Sequence, residues 1–230
     1  MRRVEQIMGL PITVDIPDCQ NQAVFDKVFK RLRQIDRRFS TYKHSSEVFK
    51  YISGKLEKGQ LSNELQTVIK ECRLAEKMTN GYFSAWTGGQ FDPSGYVKGW
   101  AIDQAGRIIE KSGYPTYCLN AGGDILARSA GPKKWIIGIQ DPIDKTTILN
   151  KLSISNGAVC TSGNYERGAH IINPKTGQPA DEVLSVTIIG PDIIKADILA
   201  TACFAMGHKA AEYIKNQKAY KALIIPRVTR

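Results

Sequence analysis

Residues 116–129 read Thr-Tyr-Cys-Leu-Asn-Ala-Gly-Gly-Asp-Ile-Leu-Ala-Arg-Ser. Two short runs of strand-like composition, 116–119 and 124–129, flank the pair Gly122-Gly123. Paired glycines between such runs are typical of a tight hairpin turn. A hairpin joins antiparallel strands, whereas parallel strands need a long crossover connection. We therefore expect an antiparallel strand pair at this point of the chain.

The segments on both sides of this hairpin favour an α+β fold. Helical periodicity and capping signals predict helices at 18–39, 45–51, 62–79, 96–111, 196–206 and 209–215. Short apolar or alternating runs predict further strands at 12–16, 135–139, 152–155, 158–161, 170–173, 184–189 and 221–225. The later strands follow one another with short turns, which indicates a largely antiparallel sheet with packed helices.

The chain shows no sign of a second domain or of a dinucleotide-binding fold. No repeat, low-complexity tract or Pro/Ser-rich linker divides it, so we expect a single domain over residues 1–230. The G-x-G-x-x-G fingerprint is also missing from the sequence. A flavin nucleotide would therefore not be expected on a Rossmann-type site.

The composition, with 42% hydrophobic and 23% charged residues, is typical of a globular domain. No apolar run approaches the roughly 18 residues of a transmembrane helix, so we expect no membrane insertion. Residues 1–10 contain Arg2 and Arg3 but no apolar segment of the kind found in signal peptides. The first cysteine, Cys19, lies well inside the apparent domain. We therefore expect a cytoplasmic protein.

The cysteines indicate neither a disulfide framework nor a zinc site. The chain has five of them, an odd number, and none forms a C-x-x-C pair. The paired ligands of a structural zinc site are missing as well. We expect reduced thiols, most of them buried.

The formal net charge of +10 raises the question of nucleic-acid binding. The basic residues are densest at 27–38, where they alternate with Val28, Phe29, Leu32 and Ile35. That spacing predicts an amphipathic helix whose basic residues form the solvated face. No nucleic-acid motif accompanies it, so we expect no nucleic-acid partner. A basic surface also suits a phosphate-bearing substrate or an acidic protein.

Residues 196–202 read Ala-Asp-Ile-Leu-Ala-Thr-Ala, a helix-favouring and otherwise apolar run. Asp197 and Thr201 stand four residues apart and therefore share one helix face. A carboxylate in apolar surroundings is costly unless something pairs with it. Two oxygen ligands without nearby Cys or His suit a hard cation such as Mg²⁺. The alternative is that the Thr201 hydroxyl bonds back to the Asp197 carbonyl while the carboxylate caps a neighbouring group.

Six further segments accompany this run. They are Met8-Gly9, Ser40-Thr41-Tyr42, 91–103 (Phe-Asp-Pro-Ser-Gly-Tyr-Val-Lys-Gly-Trp-Ala-Ile-Asp), 120–125 (Asn-Ala-Gly-Gly-Asp-Ile), 161–165 (Thr-Ser-Gly-Asn-Tyr) and 170–177 (His-Ile-Ile-Asn-Pro-Lys-Thr-Gly). In order and spacing they closely resemble the ApbE family, the FAD:protein FMN transferases, over residues 8–207. The resemblance implies an ApbE, T-fold-like architecture.

The resemblance also implies roles for ten residues. The metal ligands would be the Gly95 carbonyl, Asp197 and Thr201. The residues at the flavin nucleotide would be Met8, Tyr42, Asp92, Lys98, Thr161 and Ile172. His170 would be the base that deprotonates the acceptor hydroxyl. The sequence departs from the family at Ser84 and Ala200, where many members carry an acid.

The residue types alone leave simpler interpretations open. Asp92 or Ser94 could serve as an N-cap of the following helix. Thr161-Ser162-Gly163 has small residues that suit close approach to phosphates, or it could be a tight turn at a strand end. A lone histidine in a strand, as predicted for His170, is more often structural than catalytic.

The function implied by the resemblance is a Mg²⁺-dependent transfer of FMN from FAD to a Thr or Ser hydroxyl of a target flavoprotein, with release of AMP. Two alternatives use the same site. One is a Mg²⁺-dependent FAD pyrophosphatase, in which water replaces the hydroxyl, and the other is a non-catalytic FAD-binding protein. A basic nucleic-acid-binding module is a further alternative that rests on charge alone.

Overall fold

The chain folds around a seven-stranded sheet. The computed structural model describes residues 1–164 and 171–227. The strands within them are β1 (Arg2–Ile7), β2 (Leu10–Asp15), β3 (Tyr117–Ala121), β4 (Asp124–Arg128), β5 (Trp135–Gln140), β6 (Ile148–Ile154), β7 (Gly157–Gly163), β8 (Val183–Gly190) and β9 (Lys221–Pro226). The sheet has the order β1-β2-β3-β4-β7-β8-β9, and every neighbouring pair is antiparallel. β5 and β6 form a separate antiparallel pair, the β5–β6 ribbon.

Helices cover one face of this sheet. They are α1 (Gln22–Phe39), α2 (Glu47–Ile52), α3 (Asn63–Met78), α4 (Ser94–Lys111), α5 (Ile193–Met206) and α6 (Ala210–Lys215). α5 contacts β7 and β8 on one side and α4 on the other, and α4 contacts α1 in turn. Most residues of α5 are buried, because it is apolar all round and lies between the sheet and α4. The expected antiparallel α+β architecture is confirmed.

The β5–β6 ribbon covers part of the opposite face of the sheet. Successive strand residues point to opposite faces, so Leu126 and Cys160 pack with the helices while Ile125 and Val159 pack with the ribbon. The ribbon contributes Ile137 to this second, smaller apolar cluster. The central strands β4 and β7 are therefore apolar on both faces, unlike the edge strand β1.

The N-terminal edge strand β1 was not predicted from the sequence. It pairs with β2 through a turn at Met8 (φ 56°) and Gly9 (φ 73°), the two positive φ values that a tight hairpin requires. Only Ile7 of this strand is buried. An edge strand with charged side chains buries few apolar residues. Its sequence therefore shows only a weak alternation of apolar and polar residues.

The prediction of a strand at 170–173 is wrong for residues 171–173, the part of it that the structure describes. Ile172 forms a single antiparallel bridge with Pro179 rather than a ladder. The Asn173 carbonyl accepts a hydrogen bond from Gly177 N at 2.9 Å, which closes a tight turn. The Asn-Pro-Lys-Thr-Gly composition therefore forms a turn that interrupts strand pairing here.

The other elements form where they were expected, with shifted ends. α5 begins three residues early because the Asp192 side chain accepts a hydrogen bond from Lys195 N at 2.7 Å. α1 begins at Gln22 because the Asn21 side chain caps it through Ala23 N. The strand predicted at 152–155 is longer and begins at Ile148.

The basic residues of α1 lie on its outer face, as the spacing predicted. The apolar residues of this helix are buried. Arg31 pairs with Glu64 at 2.6 Å, and Arg38 also pairs with Glu64. Part of the positive charge in this region is therefore balanced within the fold.

All five cysteines are free thiols, and four of them are buried, as expected. Among the described residues, no helix combines the length and the hydropathy that crossing a membrane requires.

Candidate functional site

A cavity of about 940 Å³ is lined by residues of the helical layer, of the sheet and of the β5–β6 ribbon. α4 and α5 contribute Lys98 and Asp197 to its wall, and β7 contributes Thr161. Residues 137–140 of the ribbon form another part of the wall. A concave site of this size can hold a small organic ligand.

The cavity gathers most of the residues predicted from the sequence. Seven of the ten line it, namely Asp92, Gly95, Lys98, Thr161, Ile172, Asp197 and Thr201. His170 lies outside the described residues. Segments that are far apart in the chain thus converge as the resemblance implied.

Tyr42 and Met8 are not brought into the cavity wall. The Tyr42 side chain is 86% exposed. Met8 is half-buried at the β1–β2 turn, and its neighbours Gly9 and Leu10 line the cavity in its place. Contact of these two residues with a flavin stays a prediction.

Asp92 fixes the beginning of α4. Its Oδ1 accepts hydrogen bonds from the backbone N of Ser94 at 2.9 Å and from Ser94 Oγ at 2.5 Å. The N-cap position itself is Pro93 and has no side-chain cap, so the prediction that Asp92 or Ser94 is the N-cap is wrong, although Asp92 does bond to the first residue of the helix. The first turn of α4 also lines the cavity through Gly95, and unpaired N–H groups of a helix N-terminus favour negative charge.

Gly95 brings the α4 backbone close to Thr201. A Cβ atom at Gly95 would lie 3.8 Å from Thr201 Oγ1 and 3.1 Å from the Phe83 ring. Within the described part of the chain, Thr201 Oγ1 has Ser162 Oγ as its hydrogen-bond neighbour at 3.4 Å. The back-bond to the Asp197 carbonyl, the alternative considered from the sequence, is not formed there.

Gly99 allows α4 and α5 to approach closely. A Cβ at this position would lie 3.0 Å from the Ile193 carbonyl oxygen and 3.1 Å from Asp197 Cβ. The short approach lets Gly99 N donate a hydrogen bond to Asp197 Oδ2 at 2.9 Å. Sequence reasoning missed Gly99, although an isolated glycine inside a helix often marks such a packing constraint.

Three charged side chains meet beside this helix crossing. Lys98 Nζ lies 2.6 Å from Asp124 Oδ2 and 3.3 Å from Asp197 Oδ1. Both carboxylates are 1% exposed. Asp124 Oδ1 accepts a further hydrogen bond from Thr161 N at 3.1 Å. The sequence left the role of Asp124 undecided, and the structure makes it a partner of Lys98.

Burial and neighbouring charges shift the pKa values of Asp197 and Lys98 in opposite directions. Burial raises the pKa of the Asp197 carboxyl above its ordinary value, while Lys98 lowers it. For Lys98, burial lowers the pKa, but the carboxylates of Asp124 and Asp197 outweigh it and raise the pKa overall. With Lys98 charged, two carboxylates face one ammonium, so additional positive charge would be stabilised here.

The residues at this end of the cavity fit a hard divalent cation. Asp197 supplies a carboxylate, Thr201 a hydroxyl and Gly95 a backbone carbonyl, all of them oxygen donors. The described residues contain no cluster of three or more His, Cys, Asp or Glu side chains that could hold a metal. Few protein ligands are typical of Mg²⁺, which keeps several waters and binds substrate phosphates.

A glycine turn and an aromatic segment complete the wall. The turn of the 116–129 hairpin lines it, with Asn120 Oδ1 accepting a hydrogen bond from Gly123 N at 2.9 Å. Tyr82 and Phe83, which directly precede the departure from the family pattern at Ser84, also line it. No sequence motif indicated the wall contributed by the ribbon.

The family model described as the ApbE family matches residues 8–90 and 85–224. The chain belongs to the ApbE family. The resemblance drawn from the sequence motifs is thereby confirmed.

Similar ApbE proteins include a FAD:protein FMN transferase of Klebsiella pneumoniae. It is 30% identical over 146 residues, which cover 58% of this chain and 42% of that protein. A FAD:protein FMN transferase of Rhodobacter capsulatus is 32% identical over 145 residues, which cover 59% of this chain and 28% of that protein. The chain thus matches less than half the length of these curated relatives.

Solved ApbE structures share the fold over nearly the whole chain. The ApbE protein of Thermotoga maritima superposes with a TM-score of 0.84 at 23% identity, covering 100% of this chain and 96% of that one. The flavin transferase ApbE of Vibrio cholerae gives a TM-score of 0.85 at 20% identity, covering 99% and 94%. At these identities the likeness establishes the architecture.

Proposed function

We propose that this ApbE-family chain is a Mg²⁺-dependent FAD:protein FMN transferase. It would cleave the FAD pyrophosphate, attach FMN through a phosphoester bond to a Thr or Ser hydroxyl of a target flavoprotein, and release AMP. The observation that supports this most is the set of hard oxygen donors on Gly95, Asp197 and Thr201 at one end of the cavity.

The binding roles follow from the donors and charges of the wall. Asp197, Thr201 and the Gly95 carbonyl would hold the cation. When bound, Mg²⁺ would supply Lewis-acid stabilisation of the charge on the phosphates. The Lys98 ammonium, fixed by two carboxylates, adds positive charge to the wall that a phosphate-bearing substrate would contact.

The transfer forms one phosphorus–oxygen bond and breaks another. The acceptor hydroxyl oxygen attacks the phosphorus of the FMN half, and the bond to the bridging oxygen breaks, so that AMP leaves with that oxygen. The hydroxyl proton would pass to His170, the role that the family motif implies for this residue. General-base help of this kind contributes about 10²- to 10⁴-fold to a rate.

The acceptor would be a flavoprotein with an accessible Thr or Ser. The net charge of +10 suits an acidic surface on such a partner. The cytoplasmic location expected from the sequence, and a target in the same compartment, stay predictions.

Intact-mass analysis of a candidate acceptor protein tests the proposal. The chain is incubated with FAD, Mg²⁺ and the acceptor, with EDTA as the matched control. We expect an FMN adduct on the acceptor and an equal amount of AMP, both lost with EDTA. Free FMN and AMP without an adduct would instead indicate a pyrophosphatase. Binding of FAD without cleavage would indicate a non-catalytic flavin-binding protein.

A further inference from the structure

We propose that Asp124 is a positioning residue that holds the Lys98 ammonium away from Asp197, and so keeps the Asp197 carboxylate available to a divalent cation. The inference rests on the proposed function, because it concerns the same cation site. It assigns a role to a carboxylate that does not itself line the cavity.

Asp124 is held rigidly in a position to do this. It is the first residue of β4 and is 1% exposed. Its Oδ1 accepts a hydrogen bond from Thr161 N on the neighbouring strand β7, and its Oδ2 faces the Lys98 ammonium at 2.6 Å. One carboxylate oxygen therefore anchors the side chain to the sheet while the other receives the ammonium.

The Lys98 ammonium lies closer to one carboxylate than to the other. Its Nζ is 2.6 Å from Asp124 but 3.3 Å from Asp197. Asp197 Oδ2 already accepts a hydrogen bond from Gly99 N, so Oδ1 is the oxygen for which an ammonium and a metal ion would compete. By taking the closer contact, Asp124 reduces that competition.

Removal of the Asp124 charge should move the Lys98 ammonium closer to Asp197. An ammonium at a largely buried position needs a paired charge, and Asp197 is the other carboxylate that contacts Lys98. Lys98 should then close fully on Asp197 Oδ1 and oppose cation binding. The prediction therefore concerns the coupling between two positions, which a double-mutant cycle measures.

Two rival roles for Asp124 give different couplings. If Asp124 were itself a metal ligand, removal of Lys98 would free it to bind the ion, so the gain in affinity would be larger with Asp124 present. If Asp124 only filled a buried position in the sheet, removal of Lys98 would raise the cation affinity by the same factor with Asp or Asn at position 124.

The test is a titration with Mn²⁺ alone, in the absence of FAD, followed by the electron paramagnetic resonance signal of the free ion. The chains compared are the wild type, Asp124→Asn, Lys98→Gln and the double variant. The amide of Asp124→Asn keeps the acceptor oxygen for Thr161 N, so the fold should persist. Asp197→Asn serves as the reference in which the ion site itself is removed.

We expect Asp124→Asn to weaken Mn²⁺ binding about tenfold, a size common for coupled neighbours. Lys98→Gln should change affinity by less than about threefold when Asp124 is present. When it is added to the Asp124→Asn variant, it should raise affinity by about tenfold and restore roughly the wild-type value. Equal gains in the two backgrounds, or a larger gain with Asp124 present, would overturn the proposal.

Two further outcomes keep the test decisive. If Asp124→Asn does not fold, Lys98→Gln alone still tests the proposal, because a gain of about tenfold or more would mean that Lys98 already competes for Asp197. If Asp197→Asn binds Mn²⁺ as tightly as the wild type, the proposed cation site is wrong, and the inference fails with it. Failure of the coupling alone leaves the transferase proposal standing.

Discussion

Two walls of one cavity differ in almost every physical respect. The wall formed by α4 and α5 places Lys98 and Asp197 in a tight, largely buried crossing that depends on the missing side chain of Gly99. The β5–β6 ribbon forms the other wall with residues 137–140, and its outward face exposes large apolar side chains such as Ile136, which is 67% exposed. The helical wall fixes charges, whereas the ribbon presents apolar surface.

The two walls should differ in how well they tolerate substitutions. Charges in the helical wall have close, specific partners, so a substitution there leaves an unpaired buried group. The outward face of the ribbon has few such partners, so a substitution there changes mainly the surface that contacts solvent or another molecule.

Asp197→Asn should lower FMN transfer by about 10³-fold, the upper range for removing one electrostatic stabiliser from a preorganised site. The amide keeps the shape of the side chain but loses the charge that would hold the cation. The measurement is the rate of adduct formation by intact mass at saturating FAD.

The matched control for Asp197 is Asp103→Asn. Asp103 pairs on α4 with Arg107, whose side chain is 63% exposed, and it is not part of the cavity wall. Its loss should leave the transfer rate within about twofold, since a partly exposed ion pair is worth little. Equal losses in the two variants would contradict a special role for the helical wall.

His170→Ala should lower the transfer rate about 10²-fold and leave FAD affinity close to that of the wild type. A base is needed only when the hydroxyl loses its proton, so its removal affects the rate and spares ground-state binding. The wild-type rate should also fall as the imidazole becomes protonated at lower pH. Single-turnover kinetics and FAD titration separate the two effects, and a loss of affinity at an unchanged rate would make His170 a binding residue.

Gly99→Ala should destabilise the fold by about 1–3 kcal/mol, the usual cost of overpacking. The added methyl group would meet the Ile193 carbonyl and Asp197 Cβ, which outweighs the better helix propensity of alanine. Chemical denaturation measures the change.

Gly131→Ala is the control for Gly99, because a Cβ there meets nothing within 4 Å. That variant should stay within about 0.5 kcal/mol of the wild type. A Gly99→Ala protein as stable as this control would show that α4 and α5 can move apart without cost.

Ile136→Ser should have the smallest effect, within about 0.5 kcal/mol on stability and without change in FAD affinity. Its side chain is 67% exposed, whereas Ile137 on the inner face of the same ribbon is 5% exposed. Ile137→Ala should therefore cost about 2–4 kcal/mol. Similar losses for the two variants in thermal melts would remove the distinction between the faces of the ribbon.

The sequence predicted the helical wall because its information is local. Asp197 and Thr201 lie one helical turn apart, and Gly95 and Lys98 lie in one motif at a helix start, so short-range spacing places them. These four residues do line one cavity. The antiparallel hairpin around Gly122-Gly123 followed from local turn chemistry in the same way.

What the sequence could not provide depends on contacts between distant segments. The role of Asp124 depends on its ion pair with Lys98, a residue on another element. No local sequence pattern connects the two residues. β1 is an exposed edge strand with charged side chains, so its apolar pattern is weak. The ribbon lines the cavity without any motif, and Tyr42 carries a family motif yet lies outside the wall.

FAD affinity measured with and without Mg²⁺ shows whether the helical wall binds FAD through a divalent cation. The wild type should bind FAD at least about tenfold more weakly in EDTA, a difference of about 1.4 kcal/mol. Asp197→Asn should bind FAD weakly under both conditions. Equal FAD affinity of the wild type with and without the cation would contradict this mode of binding.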